Sequence, residues 1–345
     1  MLQERKFKHL KICAEMDVEF RDTTTLLEDV HLVHEALAEI SFDEIDTRTS
    51  FMGKPLRAPL MISAMSGGVK EAAALNRDLA KAAQELGIAF CLGSQRPMLE
   101  DRKQARSYQV RRYAPDALIL GNLGVQQAAA TEPERIVELA EDVRADGMAI
   151  HLNPAMELSQ REGDRRFPDG YRTLKALTKR MPGRIMVKET GCGISRTVAA
   201  KLKKAGVKTL DVAGAGGTSW PRVEHLRSGM KPSERPWMDE WGIPTAASLL
   251  DVSGMGFQLA GSGGIRTGLD AAKCLVLGAD VAGAALPVLR AYRSGGYKGA
   301  LAYLRNLIKE LKSVMLLVGA KDIRSLKKHK PMITGRLREW QTRRK

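Results

Sequence analysis

Short apolar runs recur along this chain at regular intervals, and most of them close on glycine, serine or asparagine. In order they are APLMISAMSGG (58–68), IAFCLGSQ (88–95), ALILGNLG (117–124), GMAIHLNP (147–154), RIMVKETG (184–191), TLDVAGAGG (209–217), FQLAGSGG (257–264) and ADVAGAALP (279–287). They do not alternate cleanly between apolar and polar, as expected of parallel strands buried on both faces. Between them, stretches such as ALNRDLAKAAQELG and SRTVAAKLKKAGV place apolar residues at i, i+3 and i+4 and finish near a glycine, the helical pattern. Eight such strand–helix units predict an α/β fold, a (β/α)8 TIM barrel over residues 58–320. A doubly wound open sheet is the alternative, but no GxGxxG follows the first run. Residues 1–57 form an N-terminal extension in this reading, with a helix of their own in TLLEDVHLVHEAL, and residues 321–345 form a basic C-terminal segment. The interval TSWPRVEHLRSGMKPSERPWMDEWGIPT (218–245) holds three of the four tryptophans and four prolines, which predicts a loop over the barrel mouth.

Composition narrows the class. A chain of 345 residues with 44% hydrophobic and 28% charged residues can bury a sizeable core. The charged start MLQERKFKHLKICAEMD lacks a signal-peptide pattern, and no window reaches the ~18 uncharged apolar residues of a membrane span. The reading is a cytoplasmic protein with no membrane insertion. Cys13, Cys91, Cys192 and Cys274 are far apart and form no CxxC pair, so they read as reduced thiols. The net charge of +15 is concentrated in KDIRSLKKHK and the tail GRLREWQTRRK, a pattern typical of solvated faces. No nucleic-acid motif accompanies it, and small ligands carrying several phosphates suit the charge better than nucleic acid does.

In a barrel of this kind the chemistry sits at the C-terminal ends of the strands, and the unusual residues of this chain fall there. The first run ends in Met65-Ser66-Gly67-Gly68, the second in Ser94-Gln95-Arg96, and the third in Asn122. The fourth ends in His151 and Asn153 with Glu157 beyond, and the fifth in Lys188-Glu189. The sixth ends in Gly216-Gly217-Thr218, and the seventh in Gly263-Gly264-Ile265-Arg266. The two Gly pairs let backbone N–H groups approach a ligand closely, and a helix predicted to start at about Thr267 adds an anion-binding N-terminus. A Gly pair alone can be a plain turn, but on adjacent strands with Thr218 alongside the pattern reads as a phosphate site. Lys188 stands at a buried strand end, where it either pairs with a carboxylate such as Glu189 or faces an electron-rich ring, with Asn122, Ser94 and Gln95 as neighbouring hydrogen-bonding groups. A phosphate site beside a ring-facing lysine suggests flavin mononucleotide, FMN. Glu157 suits Mg2+ completed by substrate phosphates and water, or is simply an acidic residue at a helix start. His151 suits phosphate binding, acid–base work or a structural hydrogen bond.

Taken together, RKFKH, SAMSGG, GSQR, NLG, HLNP with EGDRRF, VKETGCGIS, DVAGAGGTSW, GSGGIRTGLDAAKCLVLGAD and GAKDI resemble the FMN-dependent, type 2 isopentenyl diphosphate isomerase family, nearly end to end. The resemblance implies FMN contacts at Met65, Ser66, Gly67, Ser94, Asn122 and Lys188. It implies a flavin-phosphate site at Thr218, Gly263, Gly264, Ile265, Arg266, Ala284 and Ala285. The substrate diphosphate would meet Arg5, Lys6, Ser94, Gln95, Arg96, His151 and Asn153, with the N-terminal extension contributing the first two. Glu157 would hold Mg2+, and His151 and Lys188 would serve the chemistry. The implied reaction converts isopentenyl diphosphate into dimethylallyl diphosphate on reduced flavin, with NADPH as reductant, in a homo-oligomer (a tetramer or octamer).

The chain departs from the family's pattern in one direction. The family's glutamine before the metal-site glutamate, assigned to proton transfer, is Met156 here, which cannot relay a proton. Ala213 and Ala215 replace a serine and an arginine, Ser66 replaces a threonine, and Leu286 replaces an arginine. Loss of one proton-relaying group costs about 10²–10⁴-fold in rate. Either another relay serves here, or the task has moved to a different prenyl or allylic substrate, or to ligand binding without catalysis.

Overall fold

The computed structural model describes residues 2–342. All eight apolar runs become strands: β1 (Leu60–Ile62), β2 (Ala89–Cys91), β3 (Ile119–Gly124), β4 (Gly147–His151), β5 (Ile185–Lys188), β6 (Thr209–Asp211), β7 (Gln258–Ser262) and β8 (Val281–Ala284). Each pairs in parallel with the next, and β8 closes on β1 to complete a barrel. Their β-branched and aliphatic side chains are sequestered on both faces. The interior is filled by Met61, Ala89, Cys91, Leu120, Ala149, Met186, Ala260 and Val281, with Phe51 and Leu56 closing the bottom. The outward residues join the larger core beneath the helices.

Two expectations for the flanking segments fail. The stretch TLLEDVHLVHEAL is not a helix. It makes a single 3-10 turn at Leu27–Asp29 and a short strand, Val30–His31, that pairs antiparallel with Met332–Ile333. Its apolar spacing arises because Leu26, Leu27 and Val30 are buried against the body of the protein, and that pairing overrides helix propensity. The helix of the extension lies earlier, as α1 (Leu2–Glu15). The interval after β6 is not simply a loop either, since it opens with a helix, Trp220–Arg227, capped by the Ser219 hydroxyl. A 3-10 turn at Trp237–Glu240 and a helix, Thr245–Val252, follow.

The C-terminal segment is tied back onto the body. Its strand Met332–Ile333 continues into a helix, Gly335–Thr342, where the Asp29 carboxylate accepts from the N–H of Leu337. Arg343, Arg344 and Lys345 of the basic tail lie outside the described residues. No helix among the described residues is long and apolar enough to cross a membrane.

Candidate active site

One cavity of about 220 Å³ opens at the C-terminal ends of the strands. A single buried water needs only about 10–15 Å³ of such space, so the cavity has room for a ligand. Strand alternation builds its floor. Two residues above the apolar layer formed by Met61, Leu120, Ala149, Met186 and Ala260 come Ser63, Asn122, His151, Lys188 and Ser262, all lining the cavity.

The wall toward β7 and β8 is a cradle of close backbone approaches. A Cβ on Gly217 would collide with the Gly264 nitrogen and lie 2.8 Å from its Cα. One on Gly264, which has φ +76°, would collide with Thr25. The helix that follows, Gly268–Val276, is capped by Thr267, whose hydroxyl accepts from Asp270 N–H at 3.1 Å. Thr218, Gly263, Gly264, Ile265, Arg266, Ala284 and Ala285 all reach the cavity, so the predicted phosphate residues converge. The helix N-terminus is not free for an anion, against expectation, because Asp270 takes the N–H groups of Arg266 and Thr267 and Glu310 takes that of Gly268. What faces the cavity is the bare glycine backbone, which leaves room for a ligand pressed against it.

A feature the sequence did not reveal covers this cradle. Residues 17–25 cross it as a strap: Phe20 N–H donates to Gly217 O at 2.9 Å and Ser219 N–H to Val18 O at 2.9 Å. Glu19 forms an isolated bridge with Thr218. Its carboxylate pairs with the Arg266 guanidinium and, at 3.1 Å, with Arg290.

The opposite wall is cationic and is completed by α1. Lys6 is 9% exposed, and its ammonium donates to Gly67 O and Ser94 O, each at 2.7 Å, and to the Tyr108 hydroxyl at 3.2 Å. Burial first, then the charges of Arg5 and Arg96, push its pKa down to about 7. Arg5 donates to Gln160 Oε1 at 2.9 Å. Helix α1 is held by a buried relay. His9 Nε2 lies 2.8 Å from Glu224 Oε1, and Glu224 Oε2 accepts from Arg227 Nε at 2.6 Å. Arg227 continues to Glu162, which lies 3.7 Å from Arg5. Tyr108, Glu224 and Glu19 are unremarkable in sequence; only their long-range partners give them meaning.

His151 Nδ1 lies 2.8 Å from Asn122 Oδ1. With that oxygen accepting, the proton sits on Nδ1 and the Nε2 lone pair is left free. Burial, reinforced by Lys188 and Lys6, pushes its pKa down to about 3, so the ring is neutral. Asn153 donates to Glu157 Oε1 at 2.9 Å, and Glu157 Oε2 accepts from Asp164 N–H at 2.9 Å. Met156 stands between them on the cavity wall. No cluster of three metal-ligating side chains occurs among the described residues, so Glu157 fits Mg2+ only as a single protein ligand.

Lys188 donates to the backbone carbonyl of Glu189, not to its carboxylate. The Glu189 carboxylate instead accepts from the N–H groups of Thr190, Gly191 and Cys192, and burial carries its pKa up to about 7. Two predicted residues do not reach the cavity. Gln95 is fully buried behind the strands, donating to Leu139 O at 2.9 Å and accepting from Asn122 N–H at 3.0 Å, so its side chain is spent on structure. Gly67 turns its carbonyl to Lys6 and is covered by the Tyr108 ring.

Comparison with known proteins agrees with this architecture. A model of the FMN-dependent dehydrogenase family matches residues 1–107 and 101–332. Isopentenyl-diphosphate delta-isomerase of Pyrococcus abyssi is 41% identical over 347 residues, covering 97% of this chain and 94% of that protein. The enzyme of the same name from Pelodictyon phaeoclathratiforme is 43% identical over 350 residues, covering 96% and 97%. Among solved structures, flavocytochrome b2 aligns with TM-score 0.66 at 17% identity, over 91% of this chain and 78% of that one. A mandelate oxidase carrying an FMN adduct aligns with TM-score 0.63 at 17% identity, over 90% of each chain. At such low identity these structures speak only for the barrel. The near-complete coverage at about 40% identity carries more: this chain belongs to the FMN-dependent, type 2 isopentenyl-diphosphate delta-isomerase family.

Proposed function

We propose that this protein isomerises isopentenyl diphosphate to dimethylallyl diphosphate with FMN, Mg2+ and NADPH as flavin reductant. The observation that carries the reading is a single cavity with a glycine cradle for a phosphate on one wall and the Arg5, Lys6, Arg96, His151 and Asn153 cluster on the other. Lys188 lies on the floor between them. The first wall suits the flavin phosphate at Gly263–Arg266, Thr218 and Ala284–Ala285. The second suits the substrate diphosphate, with Glu157 sharing Mg2+ with its oxygens. The homo-oligomer and the cytoplasmic location expected of the family belong to the same proposal.

The reaction adds a proton to the terminal methylene and removes one from C2, with no net redox change. When bound, the flavin supplies an electron-rich ring and an exchangeable proton beside the double bond. The chain's own residues do the rest. Arg5, Lys6 and Arg96 neutralise and orient the diphosphate, and α1 excludes water above it. Neutral His151 has its Nε2 lone pair free where Met156 cannot relay a proton, but with its pKa at about 3 it takes one up only once the negative charge of a bound diphosphate raises that value. Anaerobic incubation with isopentenyl diphosphate, Mg2+ and NADPH should give the dimethylallyl product, and absence of product refutes the reading.

A second reading is favoured by the replacement of polar groups with Met156, Ala213 and Leu286, all on the cavity wall. The enzyme then acts on another prenyl or allylic compound. Lack of turnover in the native protein together with its appearance in Met156→Gln would select this reading.

A further inference from the structure

The barrel floor holds an ionisable group that the proposed chemistry leaves unused. Asp211 ends β6 in register with Lys188 on β5 and with Ala260 on β7, and Ala260 belongs to the barrel interior. The strand pleat therefore turns Asp211 inward, at the level of Lys188. It is fully buried. Its Oδ1 accepts from the Ser262 hydroxyl at 2.6 Å and from Ala213 N–H at 3.2 Å. Its Oδ2 has no partner, and neither has the hydroxyl of Ser63, three strands away. Gly283, on the strand between Ser63 and Ser262, leaves the space open, since a Cβ there would lie 2.8 Å from Ser262 Cβ.

A buried carboxyl with one bare oxygen either holds a proton or draws on a nearby cation. The surroundings identify it. Burial raises the pKa of Asp211, and Lys188 is the cation that works against this, while the other carboxylate close to that lysine, Glu189, is already occupied by three backbone N–H groups. Ser262, which donates to Asp211, lines the same cavity as Lys188. A carboxyl group is thus set on the neighbouring strand, in register with the lysine that faces the ligand.

We propose that Asp211 is a positioning residue that acts through Lys188 to set the reduction potential of the bound flavin. This rests on the flavin reading above. A flavin ring gathers negative charge when reduced, so an ammonium beside it favours the reduced form, and a carboxylate behind that ammonium offsets part of its field. The pair tunes how readily NADPH can charge the site.

The test is the midpoint potential of purified holoprotein, measured by anaerobic dye titration, in the native chain, D211N and K188M. D211N keeps the shape of the side chain and removes its charge; D211S serves if D211N does not fold. The asparagine variant should bind reduced flavin about tenfold more tightly relative to oxidised, a rise of about 30 mV for a two-electron couple, and K188M should move the potential the other way. A D211N potential equal to or below that of the native protein overturns the inference, and leaves the flavin reading standing. Native protein that holds no flavin overturns both.

Discussion

The Glu224 carboxylate is the point at which the N-terminal helix can be released without touching the cavity. Its side chain is fully buried and serves two partners, His9 at 2.8 Å and Arg227 at 2.6 Å. Burial works to raise its pKa, but His9 and Arg227 outweigh this and hold it below the ordinary carboxylate range. Breaking a buried ion pair by removing one partner costs about 3–5 kcal/mol. Arg227 retains Glu162 at 2.8 Å, so the loss in Glu224→Ala belongs at the low end, about 3 kcal/mol. The His9 limb alone is a buried 2.8 Å contact with a charged group, about 2 kcal/mol, which makes an undocked α1 roughly 30-fold more accessible. Arg5 and Lys6 travel with that helix. KM for the diphosphate substrate should therefore rise by up to about 30-fold while kcat stays within a few-fold. His9 sits edge-on to Trp220 with ring centroids 5.4 Å apart, so acrylamide quenching of Trp220, in a background with the other three tryptophans replaced by phenylalanine, reports undocking directly. A lowered melting temperature with unchanged KM and unchanged quenching would refute the reasoning, because the carboxylate would then support the body of the protein and not the helix.

Other tests address other parts of the site. Lys6, with its pKa near 7, is charged below neutrality and loses its proton as pH rises. Inorganic diphosphate should bind more weakly at pH 8.5 than at pH 6, with proton uptake seen calorimetrically above pH 7, and Lys6→Met should flatten the profile. The same shift means the unfolded chain holds this proton up to about pH 10, so Lys6 makes the folded state more stable as pH climbs from 7 towards 10. Gly217→Ala drives a methyl into the Gly264 backbone and should weaken FMN binding at least tenfold by fluorescence titration. Glu19→Gln frees Arg266 and Arg290 from a competing carboxylate and should tighten FMN several-fold while leaving riboflavin, which lacks the phosphate, unaffected; equal effects on both would show that the arginines do not serve the phosphate.

The barrel was legible because parallel strands buried on both faces write themselves as contiguous apolar runs, and the polar residue at each run's end marks the mouth. Met65, Asn122, His151, Lys188 and the Gly263–Arg266 turn were readable for that reason. Gln95 was misread because adjacency to Ser94 and Arg96 says nothing about direction: it is turned toward Leu139 while its neighbours line the cavity. TLLEDVHLVHEAL imitates a helix because its buried residues happen to be spaced like one, although a strand from the far end of the chain claims Val30 and His31. Asp211, Glu19 and Glu224 were invisible for a different reason. An acidic residue has no local signature of its partner, and theirs come from elements remote in sequence.

The strap of residues 17–25 has a consequence for how the protein is made. It hydrogen-bonds to Gly217 and Ser219, and α1 behind it is fixed by Glu224 and, through Met16 O, by Arg290. On the ribosome these first residues emerge long before any of their partners exist, and loop closure over such a distance is slow. The strap therefore cannot seat until the chain has been made past Ser219, nor its contact with Arg290 form until most of the barrel exists.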